Sequence, residues 1–182
     1  MPIMGEGWEL HIVRTSVQNR RGGTRTVATY QVFHDGVAQT GPGLSGTAAE
    51  ASGPGANQPA GNGKRIERGR YPIATREGEK YVTIGFNGSE SSFAKLKPGI
   101  ELLQTGERTE ILIHPGKGFI RSAGCINLCT SLPTAAENID YQRSRKCVIA
   151  VIEDLKDFLG ADFPATNGVR IPKAFVVIDG EP

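Results

Sequence analysis

The first third of the chain alternates apolar and polar side chains, a period of two that is typical of a β-strand with one buried face. From residue 8 to residue 12, every second side chain is large and apolar. Residues 26–33 form a second run, rich in the β-branched and aromatic residues that suit a pleated sheet. Asp35 and Gly36 follow, a strong hairpin signal because both central residues of a type I′ turn have positive φ. We therefore predict that residues 26–33 pair antiparallel with residues 37–40.

The second half of the chain predicts short strands and one long helix. Apolar residues with a helical period run through residues 148–159, with charged residues opposite, and Gly160 is a favoured helix C-terminus. Thr134 and Glu137 have capping-box spacing, which predicts helical structure there. Proline interrupts the extended segment 69–73, which we therefore place at a sheet edge. Further strands are predicted at residues 81–86, 100–103, 109–114 and 174–178.

Glycine and proline are concentrated in residues 41–64. The chain has 24 Gly and 11 Pro, and this segment alone holds seven Gly, three Pro and five Ala, with Leu44 as its one large apolar side chain. Such a composition buries little apolar surface, so we predict a flexible insertion or a lid. The whole chain, residues 1–182, is then predicted to be one mainly β domain with accessory helices, an α+β fold.

Composition and charge exclude several classes of protein. No apolar run approaches the roughly 20 residues of a membrane helix, so no transmembrane segment is expected. The opening residues lack a basic stretch followed by an apolar one, so no cleavable secretory signal is expected. The formal net charge is only +2, and the clusters of basic residues are not interleaved with aromatic residues. Both features argue against a nucleic-acid partner.

Residues 113–128 concentrate the reactive side chains. An apolar strand ends at His114, a glycine-rich turn follows, and a Ser-Ala-Gly run places Cys125 before an apolar residue. A cysteine attacks as the thiolate, which needs a neighbouring base or cation to form. His114 is that base if the loop folds back on itself. Taken alone, neither His114 nor Cys125 indicates catalysis, since most free cysteines are inert, small, buried side chains.

Neighbouring residues offer the other functions of such a site. Gly124 leaves space beside the sulfur, and the backbone N–H groups of residues 123–125 can stabilise an oxyanion. Lys117 and Arg121 carry positive charge close by in sequence and can hold a substrate carboxylate.

The chain has three cysteines, an odd number that cannot all form disulfides within one chain. We interpret Cys129 and Cys147 as packing residues and Cys125 as the reactive one. A zinc site of His114, Cys125 and Cys129 is an alternative, although the chain lacks the close Cys or His pair of common zinc sites. We therefore predict neither a metal nor a cofactor.

The run from His114 to Asn127 resembles the active-site signature of the L,D-transpeptidase (YkuD-like) family. That signature is a histidine, a variable gap, then Ser/Thr-His-Gly-Cys, an apolar residue and Asn or Arg; residues 122–127 read Ser-Ala-Gly-Cys-Ile-Asn. Three other segments also resemble that family and occur in the same order along the chain. They are the opening hairpin, the short strand that begins with a glycine and the apolar strand before the histidine: residues 32–37, 69–73 and 111–114. The resemblance implies an L,D-transpeptidase-like β-sandwich or barrel with a helix after the cysteine.

The resemblance also implies acyl transfer on peptidoglycan stem peptides, in the bacterial cell envelope or on an extracellular wall. Cys125 would be the nucleophile and His114 its base, with the Pro115 carbonyl orienting the imidazole and Gly124 at the oxyanion site. The thiolate attacks the amide before a terminal D-amino acid and passes the acyl group to an amine or to water. The resemblance also places two further motif residues in the substrate-binding set: Ser122 and Asn127.

Two departures from the signature keep other functions open. Ala123 stands where the family has a second histidine, and the gap from His114 to Ser122 is shorter than usual. One alternative is a non-catalytic cell-wall-binding or structural module of the same fold, and another is a general cysteine peptidase. Secreted antibacterial toxins of contractile secretion systems and phage-associated relatives fit a chain that leaves the cytoplasm without a classical signal.

Overall fold

The protein is mainly β, as predicted, with strands over 37% and helices over 12% of its residues, a content compatible with the predicted α+β class. The structure, a computed structural model, describes residues 2–120, 122–129 and 131–182. The strands in chain order are β1 Trp8–Arg20, β2 Gly23–His34, β3 Val37–Ala38, β4 Ser45–Glu50, β5 Gly69–Thr75, β6 Tyr81–Val82, β7 Lys97–Pro98, β8 Ile100–Leu102, β9 Leu112–Pro115, β10 Ile126–Cys129 and β11 Arg170–Asp179. Between β10 and β11, the α-helix α1 spans Tyr141–Leu159 and a short 3₁₀ turn spans Gly160–Asp162.

Eight strands close into a barrel. Their order is β1–β11–β5–β8–β9–β10–β4–β2, and pairing of β2 with β1 completes the ring. Two neighbouring pairs are parallel, β1 with β11 and β9 with β10, and the other pairs of the ring are antiparallel. The barrel therefore brings β9 and β10, the strands on either side of the reactive segment, side by side.

The opening hairpin confirms the predicted strands, turn and inner face, although Glu9 on the opposite face is also fully buried. The three apolar residues of the predicted inner face are fully buried: Trp8, Leu10 and Ile12. Asp35 and Gly36 both have positive φ, 46° and 81°, and His34 pairs with Val37 across the turn. The short-range signals were sufficient here because strand, turn and partner strand are adjacent in the chain.

The helix α1 packs its apolar stripe into the same core as the barrel strands. Val148, Val151, Ile152 and Leu155 are completely buried in that cluster. The predicted C-terminus is confirmed, since the Gly160 N–H caps the helix with φ 55°. In the described part of the chain, no helix is long and apolar enough to cross a membrane.

The helix begins later than the capping-box spacing predicted. Asp140 is the N-cap, and its carboxylate accepts from the Arg143 N–H. The Thr134 and Glu137 side chains do form capping-box hydrogen bonds, but these close an isolated turn. The short strand β10, between the cysteine and the helix, was not predicted.

The expectation of an irregular insertion across residues 41–64 is wrong for the strand β4. This strand lies in the barrel wall between β10 and β2, with Ala48 and Ala49 fully buried. Glu50 at its end is also fully buried and accepts two hydrogen bonds from Arg14, at 2.7 and 2.8 Å. Small side chains thus serve here for close packing between strands, which a count of large apolar residues does not detect.

Three other strand predictions are corrected. The strand β5 is not at an edge but lies between β11 and β8, and the ladder with β11 is irregular near Pro72. The strand predicted at residues 81–86 ends at Val82, and the chain bends over the residues that follow. The strand β9 starts at Leu112 rather than residue 109, because Glu110 has φ 59°, a left-handed conformation that a strand does not accommodate.

Candidate active site

His114 and Cys125 line one cavity of about 490 Å³, although eleven positions separate them in the chain. The parallel register of β9 and β10 sets Asn127 opposite His114. Cys125, two residues earlier, therefore falls beside Leu112, on the same side of the sheet as His114, because side chains alternate along a strand. We call this space the thiol cavity; its other lining residues are Arg76, Glu77, Gly78, Glu79, Lys80, Tyr81, Glu110 and Leu112.

The imidazole of His114 is held in one orientation. Its Nδ1 lies 2.8 Å from the carbonyl oxygen of Pro115, the contact that the resemblance implied. Since a carbonyl can only accept, Nδ1 carries the proton and Nε2 carries the lone pair. The ring of Tyr81 packs against the imidazole with ring centres 4.4 Å apart. His114 therefore presents a basic nitrogen from a fixed ring.

Burial keeps His114 neutral. The side chain is 6% exposed, and burial lowers the pKa of His114 to about 4, with a smaller lowering by Lys97 and an opposing contribution from the Pro115 hydrogen bond. At neutral pH the imidazole is therefore uncharged, and its Nε2 is free to accept a second proton.

Asn127 is paired with His114 but lines neither the thiol cavity nor its neighbour, and the structure corrects its expected contact with substrate. Its side chain is fully buried, and Nδ2 donates to the His114 carbonyl at 3.2 Å. The Asn127 side chain also occupies the space that a side chain at residue 116 would need, since a Cβ on Gly116 would lie 2.6 Å from Oδ1. Asn127 is thus a positioning residue that joins β10 to the strand end carrying the base.

The sulfur of Cys125 is bonded to the backbone of the strand end before His114. Sγ accepts from the Leu112 N–H at 3.4 Å and lies 3.5 Å from the Glu110 carbonyl oxygen, to which it can donate. Among the hydrogen bonds of the described residues, none joins this sulfur to the imidazole. The two groups line the same cavity, and the hydrogen bonds of the sulfur are with the backbone of residues 110 and 112.

The Cys125 thiol is protonated in this arrangement. Burial raises its pKa, while the Leu112 N–H and the positive charge of Arg108 lower it, followed by Ser122 and Arg76. The resting cavity therefore holds a neutral thiol and a neutral imidazole. A nucleophile is formed only when the proton moves from Sγ to the base.

Ser122 organises the loop before the cysteine. Its hydroxyl accepts from the Gly124 N–H at 3.1 Å and donates to the Cys125 carbonyl at 2.5 Å. The Gly124 N–H is therefore already bonded within the loop, which corrects its expected role as an oxyanion donor, and Ser122 braces the loop instead of contacting substrate. Arg121, predicted to bind a substrate carboxylate, lies outside the described residues.

Arg108 is a buried cation that the sequence analysis missed. Its guanidinium donates to the carbonyls of Ala123 (2.5 Å), Lys64 (2.6 Å) and Ala56 (3.1 Å). Gly124 makes room for this group, since a Cβ there would lie 1.9 Å from Nη2. The glycine that we expected to leave space beside the sulfur thus leaves space for the cation that holds the cysteine loop.

Lys117 lines a second cavity, of about 310 Å³, which we call the lysine cavity. The two cavities share Lys80, Tyr81 and His114, whereas Lys97, Lys117 and Tyr141 line only the second. The position of Lys117 next to the base remains compatible with its expected contact with a substrate carboxylate.

Other residues of the site had no local signal in the sequence. Arg76 and Tyr81 come from the segment after β5, and Ser144 of α1 accepts from the Gly116 N–H at 2.9 Å. For Arg108, the glycine before the cysteine was the one indication in the sequence, because glycine is favoured where another group approaches the backbone closely.

The described side chains contain no group of three or more His, Cys, Asp or Glu arranged to hold a metal ion. The side chain of Cys129, part of the zinc alternative, lies outside this description. Cys147 is buried in the core on α1, as expected of a packing residue.

The chain was compared with profiles of known protein families, with curated protein sequences and with solved structures. None of the three comparisons found a match. The functional conclusion therefore depends on the motif and on the geometry of the two cavities.

Proposed function

We propose that the chain is a cysteine acyl-transferase of the L,D-transpeptidase (YkuD-like) kind, acting on peptidoglycan stem peptides in the bacterial cell envelope or on an extracellular wall. The observation that carries the proposal is the shared thiol cavity: Cys125 and His114 line it together, and the Pro115 carbonyl orients the imidazole. The order of residues in the motif supplies the substrate class. The L,D-transpeptidase-like barrel with a helix after the cysteine is part of the same proposal.

The reaction requires one proton transfer in each direction. As the Cys125 Sγ forms a bond with the carbonyl carbon of the scissile amide, the thiol proton moves to Nε2 of His114. The C–N bond then breaks, and the same proton passes from Nε2 to the leaving amine, which departs as the terminal D-amino acid. A thioester remains on Cys125.

The second half of the reaction repeats the same roles. An acceptor amine or water attacks the thioester carbonyl while His114 takes its proton, and the proton returns to sulfur as the C–S bond breaks. An amine gives the cross-linked or exchanged peptide, a transpeptidase product, and water gives the shortened peptide, a carboxypeptidase product.

Two positively charged side chains stabilise the thiolate form of Cys125 during attack. Arg108 and Arg76 both lower the pKa of the Cys125 thiol, opposing the effect of burial. Arg76 also bonds Glu110 at 2.6 Å and Glu101 at 3.3 Å, which fixes it at the cavity wall. The two guanidinium groups stabilise the thiolate when the proton leaves.

The proposal is tested with a synthetic stem tetrapeptide ending in D-Ala. The wild-type chain should release D-Ala and show a thioester adduct by intact-protein mass spectrometry, and Cys125→Ser should lose both. Cys147→Ala is the matched control, since it removes a thiol remote from the cavity. Turnover that survives in Cys125→Ser would refute the mechanism, and cleavage inside the peptide would identify a general cysteine peptidase instead.

A non-catalytic cell-wall-binding module is the second candidate, and one observation favours it. The Cys125 sulfur is engaged by a backbone N–H, and its pKa is raised rather than lowered. A binding module predicts that the tetrapeptide binds without adduct or product and that Cys125→Ser leaves Kd unchanged.

A further inference from the structure

The lysine cavity differs in charge from the thiol cavity. Three cationic side chains line it, and no Asp or Glu is among its lining residues: Lys80, Lys97 and Lys117. The thiol cavity contains three carboxylates against two cations: Glu77, Glu79 and Glu110 against Arg76 and Lys80. His114 lies at the boundary, so one side of the base is cationic and the other is mixed.

Neutral hydroxyl groups complete the lining of the lysine cavity. The Lys117 ammonium donates to the Ser92 hydroxyl at 2.9 Å and lies 4.4 Å from the centre of the Phe93 ring, so these contacts leave its charge uncompensated. The hydroxyl oxygen of Tyr141 is buried without a hydrogen-bond partner. Burial raises the pKa of Tyr141, so its phenol stays protonated and able to donate. Ammonium groups and an unpaired phenol donor in one cavity are suited to an anion with several acceptor oxygens.

The direction of the chain places this cavity on the leaving-group side of the base. Along β9, Leu112 contacts the sulfur, His114 follows, and Gly116 and Lys117 line the lysine cavity. The amine that leaves must reach His114 to receive its proton, as in any acyl transfer with a single acid–base group. In a C-terminal residue the α-carboxylate is attached to the same carbon as that amine. The carboxylate therefore lies beyond His114, away from Cys125.

We propose that the lysine cavity binds the free α-carboxylate of the C-terminal residue released by the reaction, and so restricts the enzyme to the ends of peptides. This inference rests on the proposed acyl transfer. An amidated or extended C-terminus lacks, at this position, the negative charge that the ammonium groups pair with.

The test compares the stem tetrapeptide with the same peptide carrying a C-terminal carboxamide. In the wild type, kcat/KM for the free acid should exceed that for the amide about tenfold or more, the scale of one charge-assisted hydrogen bond. Lys117→Met should lower the value for the free acid about tenfold and leave the amide unchanged, which removes the preference. Lys146→Met, an exposed lysine on α1, is the control and should keep the wild-type ratio.

Binding of both peptides to the Cys125→Ser variant, measured by calorimetry, separates this inference from the proposed function. Tighter binding of the free acid that Lys117→Met abolishes supports the carboxylate site, even if the wild type turns over neither peptide and the acyl-transfer proposal fails. Equal binding and equal turnover of the two peptides would overturn the carboxylate site while leaving the acyl transfer intact.

Discussion

The two halves of the candidate site are held in different ways. His114 lies in a barrel strand, and three groups fix its residue: the Pro115 carbonyl, the Asn127 amide and the Tyr81 ring. Cys125 follows a loop whose carbonyl groups are held by the Ser122 hydroxyl and, through Ala123, by a buried guanidinium. The base is thus positioned by strand register and ring packing, and the nucleophile by hydrogen bonds to the backbone of its loop.

This difference indicates where each half can adjust. An imidazole packed against a ring and bonded at Nδ1 has little rotational freedom. A cysteine side chain has one rotatable bond, and the present contacts of its sulfur, with Leu112 and Glu110, are both weak sulfur hydrogen bonds. We therefore expect the sulfur to move to the base on substrate binding, and the base to stay in place.

The largest effect is expected from His114→Gln. Glutamine keeps a polar side chain that can bond the Pro115 carbonyl, but it has no basic nitrogen. Since general-base catalysis contributes roughly 10²–10⁴-fold, kcat for D-Ala release should fall by that factor. The tetrapeptide Kd, measured in the Cys125→Ser background, should be unchanged. Activity within threefold of wild type would exclude His114 as the base.

The fixed base also predicts a loss of stability in acid. The pKa of His114 in the folded protein is about 4, below the ordinary value of 6.5, so between these values the unfolded chain binds more protons. The free energy of unfolding should therefore fall as pH falls from 6.5 to 4, by about 3 kcal/mol from this group. Urea unfolding of wild type and His114→Gln across pH 4–7 measures it: the variant should lack this part of the slope. Parallel slopes would contradict the neutral buried imidazole.

A smaller effect is expected on the cysteine half, from Arg108→Met and Gly124→Ala. The first removes the cation, and the second places a Cβ 1.9 Å from its Nη2 at a residue with φ 139°. Both should lower kcat/KM about tenfold, which corresponds to about 1.4 kcal/mol of thiolate stabilisation.

Alkylation of Cys125 by iodoacetamide distinguishes the charge of Arg108 from simple loosening of the loop. If the guanidinium stabilises the thiolate, the pH midpoint of alkylation should rise in Arg108→Met and stay near wild type in Arg108→Lys. Arg21→Met, in the exposed turn after β1, is the control. An unchanged midpoint with faster alkylation would mean that Arg108 only holds the loop closed.

Sequence patterns predicted the half of the site that depends on local order. His114 at the end of an apolar strand, and the Pro115 carbonyl beside it, follow from neighbouring residues and the motif. Arg108 could not be predicted, since its role depends on three carbonyls from two distant segments, at residues 56–64 and at Ala123. The burial of Asn127 could not be predicted either, since its amide bonds the His114 carbonyl of a neighbouring strand, and that contact depends on the pairing of β9 with β10.

For the fold too, the predictions that depend on neighbouring residues were correct and those that depend on distant partners were not. The hairpin at Asp35 and the helix stripe on α1 were predicted, because each depends on residues close together in the chain. The strand β4 was missed because its partners β10 and β2 supply the reason for its small residues. Pro72 predicts an edge strand, whereas the barrel accommodates it in a strand paired on both sides, where the ladder with β11 is irregular.

The smallest effect is expected from Ser122→Ala, which removes the two loop hydrogen bonds to Gly124 and Cys125. These bonds contribute about 1 kcal/mol to stability, and their loss leaves the cysteine loop less ordered. We expect kcat to fall about threefold with KM unchanged, because the hydroxyl faces the loop rather than the substrate. Ser122→Thr keeps the hydroxyl and should restore kcat. A rise in KM at constant kcat would instead place Ser122 in contact with the peptide, and would mean that the cysteine half is held by Arg108 alone.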